Sequence, residues 1–157
     1  MSVRENETEA ERLDRNFADL LQELRVAQAG VQILFAFLLT LPFAARFGEI
    51  DRFEQAVYIG ALFSAALATA CIIAPVAFHR MLFRHGHRPW LVDAANQAAR
   101  AGLASLAITT SGVVWLVFDL VTDRTIAGVA GAVCLLFFAV LWVFVPLLRA
   151  WREEPEG

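Results

Sequence analysis

The chain has 157 residues, 59% of them apolar, and a mean hydropathy of +0.58, well above the roughly 45–50% apolar content of a soluble domain. That excess excludes a disordered chain and an ordinary soluble core, and the length suits one domain. The formal net charge of −3 argues against nucleic acid as a partner, because such partners are held by surplus positive charge.

The first 25 residues read as an amphipathic helix that leads into the apolar part of the chain. Thr8 and Glu11 have the spacing of a capping box. Leu13, Phe17, Leu20, Leu21 and Leu24 fall on one face, and Arg12, Asp14, Arg15, Asp19 and Glu23 on the others. Carboxylates outnumber arginines here, whereas a helix lying on anionic lipid usually has a basic polar face.

Four stretches follow that are apolar enough to cross a bilayer, which takes roughly 17–25 residues. They lie at 26–45, 55–78, 101–121 and 126–148, with a short tail at 149–157. None alternates as a strand does, so helices satisfy their backbone groups in lipid. The predicted fold is an all-α membrane protein: four transmembrane helices in a domain spanning 26–148, preceded by a cytoplasmic amphipathic N-terminal helix. Too little chain remains for a large soluble catalytic domain. Pro42 is placed to end the first span.

Every basic residue is an arginine, and their placement sets an orientation. Arg4, Arg12, Arg15, Arg25, Arg80, Arg84, Arg88, Arg100, Arg149 and Arg152 fall on one side, and Arg46, Arg52 and Arg124 on the other. This predicts both termini in the cytoplasm, with the first span as a signal anchor of the plasma membrane. Trp90, Trp142 and Trp151 suit an interfacial belt, whereas Trp115 lies inside the third span and does not.

The connection 79–100 is basic, through Arg80, Arg84, Arg88 and Arg100. A turn is expected at residues 85–89, with Pro89 opening a helix through Trp90, Leu91 and Ala94. The charge balance places the acidic N-terminal helix near this connection. His85 and His87, with His79 and Asp93 nearby, are weak metal candidates. No further Cys or Glu completes a recognised ligand spacing, so no metal and no cofactor is assigned. Because histidine titrates near neutrality, these histidines are also candidates for a pH-sensing role.

Polar residues within spans are functional candidates. Asp119 lies near the outer end of the third span, where it sees water or pairs with Arg124. Gln28 and Gln32 share one face of the first span at i, i+4. Ser105, Thr109 and Gly112 form a stripe on the third span, with Thr110 and Ser111 beside it and Ser64 at comparable depth on the second. Gly60/Ser64, Ala98/Gly102 and Ala127/Gly131 are small-xxx-small pairs that permit close packing. Pro75 and Pro146 sit in corresponding parts of the even-numbered spans. Cys71 and Cys134 differ in depth by roughly 12 Å, too far to pair.

The pattern Arg12-x-x-Arg15-x-Phe17, the run from Glu23 through Gln28, Gly30, Val31 and Gln32 to Leu39, and His79-Arg80-x-x-Phe83-Arg84 resemble a family of small uncharacterised bacterial membrane proteins, frequent in actinobacteria. The resemblance implies the four-span architecture and lends no catalytic or binding residue. Sodium–proton exchange, attributed to some similar proteins, calls for a buried titratable relay, and Asp119 stands alone and shallow.

There is no Gly-rich phosphate loop, no nucleophile with a paired base and no CxxC. The expected function is therefore non-enzymatic, exercised in the bilayer by assembly. It is that of an accessory or scaffolding subunit in a larger membrane complex or, alternatively, of a homo-oligomeric channel or transporter for a small solute or ion.

Overall fold

The computed structural model describes residues 9–45, 47–82 and 88–152. Helix α1 (Glu9–Thr40) runs unbroken from the acidic segment into the first span. Thr8, the expected cap, lies outside the described residues, as do the side chains of Leu13 and Phe17. Pro42 ends α1 as expected: a single 3₁₀ turn, Leu41–Phe43, follows it. Pro42 has no N–H for the carbonyl of Leu38, one helical step before it. The hydroxyl of Tyr58 donates to that carbonyl instead, at 3.1 Å.

Helix α2 (Arg52–Leu82) is started by a reciprocal cap. Asp51 accepts the N–H groups of Phe53 and Glu54, and Glu54 accepts the N–H of Asp51. Pro75 lies inside α2, fully buried, without ending it. Residues 83–87, where the turn was expected, lie outside the described residues. Helix α3 (Arg88–Val121) places Pro89 in its first turn and runs straight into the third span. Two residues later α4 (Arg124–Ala139) begins, with Asp123 accepting the N–H groups of Thr125 and Ile126.

The fourth span is not a uniform helix. It widens to a π-helical segment at Val140–Phe144 and resumes as α5 (Val145–Arg152). Pro146 explains this. It lacks the N–H that would bond Trp142, and its ring crowds that carbonyl. The helix relieves the crowding by a wider turn, in which Val145 donates to Val140. Pro75 and Pro146 thus have unlike consequences.

Each of these four helical stretches is long and apolar enough to cross a membrane. The interior seams follow a coiled-coil spacing. On α1 they are Leu24, Val31 and Leu38; on α2, Tyr58, Ala61, Ala65, Ala68, Ile72 and Pro75; on α3, Ala95, Ala99, Gly102, Ser105, Thr109 and Leu116. The α2 and α3 seams are mostly small residues, which draw the two backbones close. A Cβ on Gly102 would lie 2.8 Å from Cγ1 of Ile72, and one on Gly112 3.3 Å from Cβ of Ala61.

The small-residue pairs divide. Gly131 of the Ala127/Gly131 pair meets α3, where an added Cβ would lie 3.1 Å from Cβ of Trp115. Gly60 is exposed with nothing within 4 Å of an added Cβ, so the Gly60/Ser64 pair does not act as a packing motif; only Ser64 faces α3. The N-terminal part of α1 does lie against the start of α3, as the charge balance suggested. The contact shown is apolar: Leu20 and Leu21 pack against Ala95, as do Val92 and Phe78.

Helix α4 is the loosest member. Its buried residues are Ala127 and Gly131, both in its first half, and no residue of the π segment is buried. It is therefore attached to α3 at its start and diverges along its length.

Candidate functional site

Among the described residues, the densest polar constellation lies where α1 turns into α2 and α3 into α4, at the end of the bundle opposite the start of α1. Arg124 opens α4, where the positive pole of the helix dipole disfavours a cation. Carboxylates offset this. Nη2 of Arg124 lies 2.6 Å from Oδ2 of Asp51 and 3.6 Å from Oδ2 of Asp119. Its guanidinium also covers the ring of Phe53, at 5.2 Å, and reaches Trp115, at 6.0 Å. Those rings meet edge to face at 5.4 Å.

Asp119 thus pairs with Arg124 as its position suggested. Its side chain is only 7% exposed, while the Arg124 and Asp51 side chains are about half exposed. Its Oδ2 makes no hydrogen bond among the described residues. At 3.6 Å the guanidinium supplies charge compensation without a close bond. Sequence reasoning missed Asp51, which caps one helix with Oδ1 and clasps another with Oδ2. It also left Trp115 unexplained. The signal available was the Asp51-x-x-Glu54 capping spacing.

The Asp51 carboxyl is held below the usual aspartate value, first by the backbone N–H of Glu54 and then by Arg124. A group depressed in the folded state contributes stability that is present above its unfolded pKa and lost as pH falls through the folded one. Thermal unfolding followed from neutral pH to about pH 3, below the usual aspartate value of about 3.9, should therefore show an acid decline in stability. Asp51→Asn should flatten that decline. An identical decline in both proteins would remove Asp51 from the account.

The hydroxyl stripe is inside the bundle. Oγ of Ser64 donates to the carbonyl of Ser105 at 2.9 Å, across the α2–α3 contact. Thr109 donates to the same carbonyl at 2.9 Å and reaches that of Ala61 at 3.4 Å. Thr110 donates within its own helix to Leu106. The stripe therefore ties two helices together. Ser111, buried where α3 meets α4, has no partner for its hydroxyl among the described residues.

Gln28 and Gln32 lie away from this stripe. Gln28 is half-buried and Gln32 exposed on the outside of α1. Arg80 and Arg100 are exposed; the side chain of Arg88 and all of Arg84, His85 and His87 lie outside the described residues, as does the side chain of His79. Cys71 and Cys134 are unpaired. Among the described residues no three His, Cys, Asp or Glu side chains converge on a metal-sized site.

A family model whose description reads "Family of unknown function (DUF6328)" matches residues 6–146. The chain belongs to this family. The match takes in α1 to α4, and with them the Arg124 clasp and the hydroxyl stripe. No curated protein and no solved structure matches the chain.

Proposed function

We infer that this is a multi-pass protein of a bacterial inner membrane, with both termini cytoplasmic, that catalyses no reaction and acts as an accessory or scaffolding subunit of a membrane complex. The arginine asymmetry supports the orientation.

One observation carries the assembly reading. Gln32 exposes its amide on the outside of α1, about 21 Å along the helix from Ala18, where the apolar span starts. An amide facing hydrocarbon without a hydrogen-bond partner is costly, and a helix from another chain removes that cost. The fourth span adds surface for such a partner: Val129, Val133 and Leu136 are each at least 60% exposed and recur at heptad spacing.

The alternative, a homo-oligomeric channel or transporter for a small solute or ion, draws on the same Gln28/Gln32 face. It is weakened by Ser64 and Thr109 of the hydroxyl stripe, which are buried and donate to backbone carbonyls at the α2–α3 contact. Purification from native membranes in mild detergent, with the mass and composition of the complex measured, separates the two. A second protein in fixed stoichiometry, lost on Gln32→Leu, is the expected result. A pure homo-oligomer whose flux in liposomes changes with Gln32→Leu while assembly persists would overturn it.

A further inference from the structure

The divergence of α4 from α3 opens an apolar wedge of about 660 Å³, within the range of about 300–1,000 Å³ typical of ligand sites. Its walls include Ala104 and Ile108 on α3 and Leu135, Trp142 and Leu147 on the fourth span, with Arg100 at one end. Ile108, Leu135, Trp142 and Leu147 are each at least 39% exposed, so the wedge is open on its side toward the surrounding medium. Arg100 is the only charged residue among the described residues that line it.

We propose that this wedge is a binding site for one anionic phospholipid, with an acyl chain between α3 and the fourth span and the headgroup at Arg100. Three features argue for that occupant. The first is charge: an exposed guanidinium with no carboxylate among the lining residues suits a phosphate-bearing headgroup. The second is length. From Ile108 to Arg100 along α3 is about 12 Å, and from Leu135 to Leu147 about 18 Å, bracketing one leaflet of a hydrocarbon core about 30 Å thick. The third is level. Arg100 lies about 28 Å along α3 from Asp119, so when Asp119 is at one surface Arg100 is at the other. The π segment beside Pro146 contributes no buried residue along this wall, so the site stays open. The proposal stands apart from the assembly reading, which concerns Gln32 and the outer stripe of α4.

Trp142 provides the readout. A full-length variant with Trp90, Trp115 and Trp151 changed to Phe leaves Trp142 as the only indole. It is reconstituted in nanodiscs containing phospholipid brominated on the acyl chain, either phosphatidylglycerol or phosphatidylcholine. Quenching should show roughly fivefold preference for phosphatidylglycerol, the factor one arginine contributes near a charged surface. Arg100→Gln should bring the preference to one, and Ala104→Phe, which fills the wedge, should reduce quenching by both lipids.

Equal quenching by the two lipids, or a preference unchanged in Arg100→Gln, would overturn the proposal. So would protection of Trp142 from both lipids, which would place a second copy of the chain or another helix in the wedge. Native mass spectrometry of the unaltered-Trp protein guards against a folding defect in the triple variant. One retained phosphatidylglycerol, lost in Arg100→Gln, supports the site, and equal retention by the two proteins refutes it.

Discussion

Gly102→Leu lowers the stability of the bundle by about 1–3 kcal/mol, the usual cost of overpacking a core, while Gly60→Leu leaves it almost unchanged. Both glycines lie in apolar helices and both head or close a small-xxx-small pair. They differ in what surrounds them. A Cβ on Gly102 meets Ile72 Cγ1 at 2.8 Å, Cβ of Cys71 at 3.3 Å and the backbone nitrogen of Ile72 at 3.4 Å. A side chain can rotate away, but the backbone of α2 cannot without separating the two helices. Gly60 has nothing within 4 Å, and a leucine there faces outward.

Gly131→Leu is an intermediate case. The added carbon meets Trp115 Cβ at 3.1 Å and the Ser111 carbonyl at 3.4 Å. It pushes α4 off α3 and leaves the contacts among α1, α2 and α3 in place. Unfolding in micelles, followed by circular dichroism with increasing denaturing detergent, measures all three. A Gly102→Leu protein as stable as the parent would mean that α2 and α3 do not approach as described.

The second large effect is at Arg124. Arg124→Gln removes the shared partner of Asp51 and Asp119 and the cation over Phe53 and Trp115. Of the two carboxylates left, Asp119 matters more, because it is nearly enclosed and its Oδ2 has no hydrogen bond among the described residues. A charge stranded in that position is the costly outcome of breaking such a pair.

The melting temperature should therefore fall more in Arg124→Gln than in Asp51→Asn, which leaves Arg124 paired with Asp119. Adding Asp119→Asn to Arg124→Gln should recover part of the loss, since it removes the stranded charge. Arg124→Lys should fall between, keeping the charge and losing the flat stacking surface. If Asp119→Asn deepens the loss instead, the carboxylate has a second partner and does not depend on Arg124 alone. The double-variant cycle isolates this coupling from the stacking on Phe53.

Much of this architecture was legible in the residues. Hydropathy alone located the four spans, because lipid demands about twenty apolar residues in a helix. The stop at Pro42, the start near Pro89 and the pairing of Asp119 with Arg124 followed from local chemistry. The helices extend ahead of the apolar stretches 26–45 and 101–121. Helix α1 begins at Glu9 and α3 at Arg88, well before their hydropathy rises, because backbone bonding continues through polar residues at the ends of a span.

What each helix face meets was decided only in three dimensions. In a soluble protein the apolar face is the inner one. Here lipid is as apolar as the core, so hydropathy does not distinguish them. Ala61, Ala65 and Ala68 are buried while Phe63, Leu67 and Ile59 face out, the reverse of a water-soluble rule. Spacing by small residues carries that information, and it was ambiguous: Gly60/Ser64 and Ala127/Gly131 looked alike, and only the second packs.

The polar residues divided in the same way. Their presence in the spans was plain, but the hydroxyl stripe closes the α2–α3 contact while Gln32 is left outside, a difference set by helix rotation. Asp51 joined Arg124 across a separation of 73 residues, which no local spacing encodes. The sequence by itself determined how many helices cross and where they stop, since those depend on backbone satisfaction in lipid. Tertiary structure decided which seams close, which amide is exposed and where α4 diverges, since those depend on side-chain size across a contact.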